Sequence, residues 1–159
     1  MATYYVATTG SNSNAGTLVS PWLTWDYAFN RLVAGDNLYI RGGTYYAMRN
    51  TAYGVSVSGT ARYGTASNFV NVRNYGSEVP VLDCGALSST SGDRYGMWLN
   101  TRYWYIKGLT IYNVDENPSH SAPAKGWEMS ACRYITLDQC NVHGCHQGFA
   151  FGGSTDNDY

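Results

Sequence analysis

Cysteine and histidine residues gather near the end of the chain, in the segment CNVHGCH. Three of the four cysteines lie within fourteen positions and have two histidines beside them: Cys132, Cys140, His143, Cys145 and His146. Thiolates and imidazoles are the usual zinc ligands, so a zinc site is the first chemistry to weigh. However, the alternation of Cys140 with Val142 directs Cys140 into a core and His143 outwards. The spacing therefore favours buried thiols or one disulfide.

The lysines are a second set of candidates, because a lysine of lowered pKa can act as a base. Lys107 alternates with Ile106, and its counterpart one repeat later is Asp138. We expect these two to form a stacked surface ion pair rather than a catalytic pair. Lys125 lies at the edge of a polar insertion and is better placed to contact a ligand, although a solvated loop charge is the simpler interpretation.

Adjacent carboxylates raise the question of calcium, which takes 6–8 oxygen ligands. Asp115 and Glu116 lie together in the same polar insertion, and Asp156 and Asp158 lie in a polar segment near Tyr159. Two carboxylates are weak evidence for calcium, and aspartate is common in turns. The sequence therefore assigns no metal ligand and no catalytic residue.

An outward row of polar and aromatic side chains is the most promising binding surface. Tyr112 is expected over His143, with Thr110 over Asn141 beside them, and Arg133 and His146 on the flanks could bind a carboxylate. An ordinary solvated face is the alternative. The predicted substrate-binding residues are Tyr112, Lys125, Arg133, Asn141, His143 and His146.

A sequence repeat indicates which elements position these residues. Met97 and Leu99 recur 30 residues later as Trp127 and Met129, and Trp127 itself recurs 22 residues later as Phe149. Two further pairs recur after 31 residues: Trp104 and Ile106 as Ile135 and Leu137, and Leu109 and Ile111 as Cys140 and Val142. Each unit thus holds three short strands, and the 31-residue unit carries the insertion VDENPSHSAPAK.

Three short strands per unit, without Asn-Gly or Asp-Gly hairpin turns between them, predict an all-β fold, a parallel β-helix or solenoid. Each unit is one coil, and its inward residues stack on those of the next. Further inward residues are expected in earlier segments: Leu38, Ile40, Val55, Val57, Val70 and Val72. An amphipathic helix, with Ser20 as N-cap, Pro21 at its first position and Gly35 as its stop, is expected to cap the tube.

Composition narrows the function classes. The chain has 159 residues, of which 44% are hydrophobic and only 13% are charged, so disorder is not expected. A net charge of −1 gives no argument for nucleic acid as a partner. No apolar run approaches the ~20 residues of a membrane span. We expect a single β-helix domain, the N-terminal fragment of a longer protein, with a cap over about residues 1–36 and coils over about 37–159.

The segment from Tyr4 to Tyr46 resembles the entry of secreted right-handed parallel β-helix proteins. It has a strand, a Gly- and Asn-rich turn, a helical pattern, then GD and a strand ending in GGTY. YWYIKGLTIYNV and YITLDQCNVHGCHQGFAF resemble the coils that follow. These segments are similar to those of the pectate lyases of polysaccharide lyase family nine and of their uncharacterised β-helix relatives.

This resemblance implies a secreted enzyme that acts on an acidic, uronate-containing polysaccharide such as pectate by calcium-assisted β-elimination. Ca²⁺ on aspartates would neutralise the substrate carboxylate, and a lysine would be the base. No residue of this chain matches those aspartates or that lysine, so the chain alone is expected to be inactive. The alternative is a non-catalytic β-helix: a carbohydrate-binding module, an adhesin or a fibre-forming subunit.

The segment GFAFGGSTDNDY begins a further coil, and polar STDNDY occupies the position where an apolar strand is due. We expect that coil to be covered by something outside this sequence. Either a continuation of the polypeptide or a second copy stacked end to end would do so.

Overall fold

The chain folds into a tube of parallel strands. The computed structural model describes residues 1–48, 51–88, 92–115 and 123–152. The first sheet has five strands in the order β1 (Thr3–Val6), β2 (Asn37–Ile40), β5 (Val70–Asn74), β8 (Arg102–Lys107) and β11 (Arg133–Asp138). The second sheet has four: β3 (Gly43–Tyr46), β6 (Pro80–Asp83), β9 (Thr110–Tyr112) and β12 (Asn141–His143).

The third sheet completes each coil. It contains β4 (Tyr53–Ser58), β7 (Arg94–Asn100), β10 (Ala124–Ser130) and β13 (Gln147–Gly152). Neighbouring strands in each sheet come from successive coils and pair in parallel, so the prediction of a parallel β-helix is confirmed. None of the helices in the described part of the chain is long and apolar enough to cross a membrane.

The predicted register is confirmed strand by strand. Trp127 pairs with Met97 below and with Phe149 above, as the repeat requires. Ile106 pairs with Leu137, and Ile111 pairs with Val142. The six earlier residues predicted to point inward are all buried: Leu38, Ile40, Val55, Val57, Val70 and Val72. A period of two in short apolar pairs was therefore sufficient to align the coils.

The capping helix exists, but its predicted boundaries are wrong. Helix α1 spans Trp25–Phe29, with Thr24 as N-cap and Asn30 as C-cap. Neither Ser20 nor Gly35 delimits it. Pro21 precedes the helix, and Trp22 is extended: its N–H donates to the carbonyl of Tyr5 at 2.9 Å, and its own carbonyl accepts from Ala7 at 3.0 Å. Pairing with β1 therefore outweighs the local helix-start signal.

The apolar side of α1 closes the entrance of the tube. Trp25 and Phe29 are buried, Trp25 lies 5.5 Å from the ring of Tyr45, and Phe29 stacks 5.8 Å from Trp104. The helix thereby shields the first coils from water, as the sequence predicted. A short 3₁₀-helix, Thr60–Arg62, follows β4.

Single residues in the left-handed region turn the chain at the corners of the later coils. Asn113 and Gly144, which follow equivalent strands, have φ of 61° and 69°. Gly108 and Gln139 do the same after the first sheet, with φ of 69° and 52°. The left-handed conformation costs a non-glycine residue roughly 1–2 kcal/mol. These strands are short because a tight corner, formed by a left-handed residue, ends each of them.

A column of glycines lets successive coils approach each other where the third sheet begins. It contains Gly54, Gly96, Gly126 and Gly148. A β-carbon on Gly54 would lie 2.5 Å from the carbonyl oxygen of Gly96, and one on Gly96 would lie 2.7 Å from that of Gly126. A side chain at Gly54, Gly96 or Gly126 would collide with the next coil, so these three glycines are required for close backbone contact rather than for an unusual φ.

We expect Gly54→Ala to lower stability by about 1–3 kcal/mol, the usual cost of overpacking, because its methyl group collides with the backbone of the next coil. Ser56→Ala, on the outer side of the same strand, is the matched control and should change stability little. Urea unfolding followed by circular dichroism would measure both. Equal midpoints for Gly54→Ala and the parent chain would show that the coils can separate without cost.

Candidate functional site

The long connections of the β-helix leave it at one corner, between the second and third sheets. They comprise residues 47–52, 84–93 and 113–123, whereas residues 144–146 make the same connection in the last described coil. We call this region, with the strand ends that border it, the loop corner. Connections that leave a rigid scaffold at one edge are where β-structures commonly build binding sites.

An outward row of side chains on the second sheet borders the loop corner. Parallel pairing stacks Tyr46, Asp83, Tyr112 and His143 in that order, one from each coil. Tyr46 is 71% exposed and Tyr112 is 39% exposed. The rings of Tyr112 and His143 lie 4.8 Å apart, which confirms the predicted stacking of these two residues. The row presents aromatic faces that a sugar ring can stack on.

Asp83, a member of this row, stabilises the turn that follows β6. Its Oδ1 accepts hydrogen bonds from the backbone N–H of Gly85 at 2.9 Å and from Nδ2 of Asn113 at 3.2 Å. Beside it lies a concavity of about 530 Å³, whose lining includes Tyr46, Leu87 and Asn113. That volume falls within the range of small-molecule sites.

The second predicted row, Thr110 and Asn141, is only partly exposed to solvent. Thr110 pairs with Asn141, as expected, and Asn141 is exposed. Thr110, however, is only 7% exposed, so its hydroxyl does not belong to the binding surface. The accessible part of this face is therefore the side that contains Tyr112, Asn141 and His143.

Lys125 is not a solvated loop charge, so that interpretation is corrected. It lies in β10, paired with Tyr95 below and Gln147 above. Its Nζ forms ion pairs at 3.0 Å with both Asp93 and Glu128, and only 17% of the side chain is exposed. Backbone pairing draws the end of the polar insertion into the sheet.

The electrostatics around Lys125 keep it charged. Burial alone would lower the pKa of Lys125, but hydrogen bonds to Asp93 and Glu128 outweigh that effect and raise it. Burial, helped by the hydrogen bond from its hydroxyl to Asp93 (3.1 Å), raises the pKa of Tyr95 to about 12. Lys125 is thus a cation held between two carboxylates and is unsuited to act as a base at neutral pH.

The structure brings some of the predicted residues together and separates others. Tyr112, Asn141 and His143 share the second sheet, and His146 follows in the next turn, where its N–H donates to the carbonyl of Ala124. Arg133 begins β11 in the first sheet, so it does not flank this row. Lys107 and Asp138 form the predicted ion pair at 2.9 Å.

Several residues of the loop corner were missed by the sequence reasoning: Tyr46, Tyr53, Asp83, Asp93, Tyr95 and Glu128. For Tyr53 and Tyr95, the sequence pattern that could have identified them is the residue before each repeated glycine. In YGV, YGM, KGW and QGF, that position gives the outward row Tyr53, Tyr95, Lys125 and Gln147. The rings of Tyr53 and Tyr95 stack 5.1 Å apart.

The cysteines are thiols rather than disulfides. Cys84 and Cys132 are buried, whereas Cys140 and Cys145 are partly buried. Burial raises the pKa of Cys84 to about 12, and the thiol of Cys132 donates to the carbonyl of Leu99 at 3.1 Å. These environments suit packing rather than reactivity.

In the part of the chain that the structure describes, the carboxylates do not come together as calcium ligands would. Asp93 and Glu128 converge on Lys125, which already occupies the space between them. Within the described ranges, no three His, Cys, Asp or Glu residues come together as a metal would require. Asp115 is exposed, and Glu116, Asp156 and Asp158 lie outside the described residues.

Comparison with known proteins shows what the chain is similar to. A family model described as "Pel9A-like, right handed beta helix region" matches residues 4–158. Pectate lyase L of Paenibacillus polymyxa (strain SC2) is 35% identical over 71% of the chain, and pectate lyase PEL9 of Emericella nidulans is 29% identical over 80%. The chain covers only 24% and 26% of these two relatives, about a quarter of their length.

Solved structures share the fold at lower identity. A rhamnogalacturonan lyase superposes with a TM-score of 0.78 at 21% identity, over 90% of this chain and 36% of its own. A GH136 lacto-N-biosidase from Eubacterium ramulus gives 0.75 at 17% identity, over 96% of this chain and 30% of its own. Since lyases and a biosidase share the fold, these likenesses carry no conclusion about the reaction.

The pairing around Lys125 generates a stability prediction. Lys125→Met should destabilise the chain by about 3 kcal/mol, because it leaves the buried Glu128 carboxylate uncompensated. The double variant Lys125→Met/Glu128→Gln should recover much of the loss. Lys107→Met is the matched control: its ion pair is more exposed, with 35% of the lysine side chain accessible, and its loss should matter little.

The same pair predicts a pH dependence. Because the folded pKa of Lys125 is raised, its stabilisation is complete below about 10.4, the ordinary lysine value, and is lost as the pH rises through the folded pKa. The stability difference between the parent chain and Lys125→Met should therefore shrink at alkaline pH. Denaturant titrations at neutral and alkaline pH would measure this stability difference. A difference that grows with pH would contradict the conclusion that charged Lys125 stabilises the fold through its ion pairs.

Proposed function

Because the chain belongs to the family of Pel9A-like right-handed β-helix regions, we propose that it is the cap and first coils of a secreted polysaccharide lyase. The substrate class is a uronate-containing polysaccharide such as pectate, and the reaction is β-elimination. The loop corner carries this proposal, because the exposed side chains of Tyr46, Tyr112 and His143 border it and Tyr46 also lines its concavity of about 530 Å³.

In this proposal the loop corner binds the polymer and does not perform the chemistry. Tyr46 and Tyr112 offer ring faces for sugar stacking, while Asn141 and His143 offer hydrogen bonds along the same side. Lys125 is held by Asp93 and Glu128, so it positions the start of the third sheet. The base and the calcium ion remain expectations for the longer protein, outside the residues described.

Binding to polygalacturonate tests the site. Tyr112→Ala should weaken binding roughly three- to tenfold, the value of one aromatic contact. Tyr134→Ala is the matched control, because Tyr134 is likewise exposed and stacked on one neighbouring ring, that of Tyr103, but lies in the first sheet. Affinity electrophoresis would measure the binding of both variants. Unchanged binding of Tyr112→Ala would exclude the loop corner as the surface that binds the polymer.

Activity is tested separately. The chain alone should release no unsaturated product from polygalacturonate, with or without added calcium, because its described lysines are engaged in ion pairs. Ultraviolet absorbance of the new double bond would follow the reaction. Calcium-dependent product formed by the purified chain would contradict this division of labour and would place the catalytic site inside the chain.

The second candidate function is a non-catalytic β-helix that associates end to end with another copy. Exposed apolar side chains in the last described coil favour it. Phe149 and Phe151 are 43% and 56% exposed, and a concavity of about 340 Å³ lies among them, Met129, Ile135 and Leu137. End-to-end association would cover this surface. Light scattering over a dilution series would then show dimers that dissociate on dilution, whereas a monomer at every concentration would exclude self-association.

A further inference from the structure

The outer face of the first sheet presents tyrosines and arginines in register. One row stacks Tyr5, Tyr39, Arg73 and Lys107 from successive coils, and a second row, parallel to the first, stacks Asn37, Asn71 and Tyr105. We call this the tyrosine–arginine face, defined by Tyr5, Tyr39, Arg41, Arg73, Tyr75 and Tyr105. It belongs to a different wall of the tube from the second-sheet row that borders the loop corner.

The tyrosines of this face pack on one another. Tyr5 stacks on Tyr39 with ring centres 5.6 Å apart, and Tyr75 meets both rings edge-on at 6.0 and 6.1 Å. All three side chains are partly exposed. These side chains hold one another in place on strands and a strand end, so a ligand that contacts their exposed parts has little ordering to induce.

The cations of the face differ in what neutralises them. Nε of Arg41 donates to both carboxylate oxygens of Glu78 at 2.9 Å, and Lys107 is paired with Asp138 at 2.9 Å. Arg73, between them, has no carboxylate within ion-pair distance among the described residues. Its guanidinium lies 5.0 Å from the ring of Tyr105 and donates one hydrogen bond, at 3.3 Å, to Asn71.

Arg73 is therefore an exposed guanidinium, pre-oriented by an aromatic ring, with donors to spare. A guanidinium binds a carboxylate through two parallel hydrogen bonds, and tyrosine faces bind the apolar faces of sugar rings. A pyranose that carries a carboxylate matches both features. We propose that the tyrosine–arginine face is a second binding surface for uronate-containing polysaccharide, with the uronate carboxylate on Arg73 and a neighbouring ring on Tyr39.

This surface shares only the substrate class with the proposed function. Successive coils are about 4.8 Å apart, so a polymer lying along the tube crosses several strands and can contact Tyr39 and Arg73 together. A second surface of this kind would retain the polymer on the protein by avidity while the loop corner engages another segment.

Arg73→Gln tests the inference, because this exposed side chain can be replaced without disturbing a buried contact. We expect the affinity for polygalacturonate to fall about tenfold, as for the loss of a charge-assisted hydrogen bond. Arg31→Gln is the matched control: Arg31 is also exposed and lies over a tyrosine ring, that of Tyr27 at 3.4 Å, but on the cap. Arg73→Lys, which keeps the charge without the fork, should be intermediate.

Two polymers separate specific recognition from general charge. Arg73→Gln and the parent chain should bind fully methyl-esterified polygalacturonate equally, because that polymer lacks the carboxylate. Unchanged affinity of Arg73→Gln for polygalacturonate, or an equal loss in Arg31→Gln, would overturn the inference. Failure here and failure of the proposed function are distinguishable, since the latter is tested by Tyr112→Ala. If both surfaces bind, the combined variant should lose the product of the two fold-changes.

Discussion

Close approach of one coil to the next is the constraint on which the rest of this structure depends. Parallel strands must lie about 4.8 Å apart to form their hydrogen bonds, and at the start of the third sheet the backbones come so close that only glycine fits. Once Gly54, Gly96 and Gly126 are aligned, their neighbours are aligned too. The outward row before the glycines and the inward row after them both follow from this contact.

The fold was largely predictable from sequence because its signals are local and repeated. Short apolar pairs such as Ile135 and Leu137 specify which side is buried, and the constant offset between pairs specifies which strands meet. The same reasoning was wrong at two places, where pairing with a distant strand outweighed the local sequence pattern. Trp22 falls inside the predicted helix but pairs with β1, and Lys125 ends the polar insertion but is drawn into β10 by its partners.

The candidate site was less predictable, since it depends on distances between coils that no local pattern encodes. The contact of Tyr112 with His143 follows from register alone and was predicted. The ion pairs of Lys125 combine a neighbour in its own strand, Glu128, with Asp93 from the preceding coil. Such pairs neutralise charges that suggest chemistry in a sequence, so the role of Lys125 could not be assigned before its partners in space were known.

The placement of the long connections has an evolutionary consequence. Residues 84–93 and 113–123 begin and end on strands whose register is held by neighbouring coils, and Cys84, Leu87 and Val114 anchor their first residues in the core. Doubling the length of a flexible loop costs only about 0.6 kcal/mol in closure entropy. Changes in length beyond these anchors therefore cost the fold little. A lineage built on such a scaffold can reshape the side chains presented at one edge, while the stacked walls are inherited unchanged.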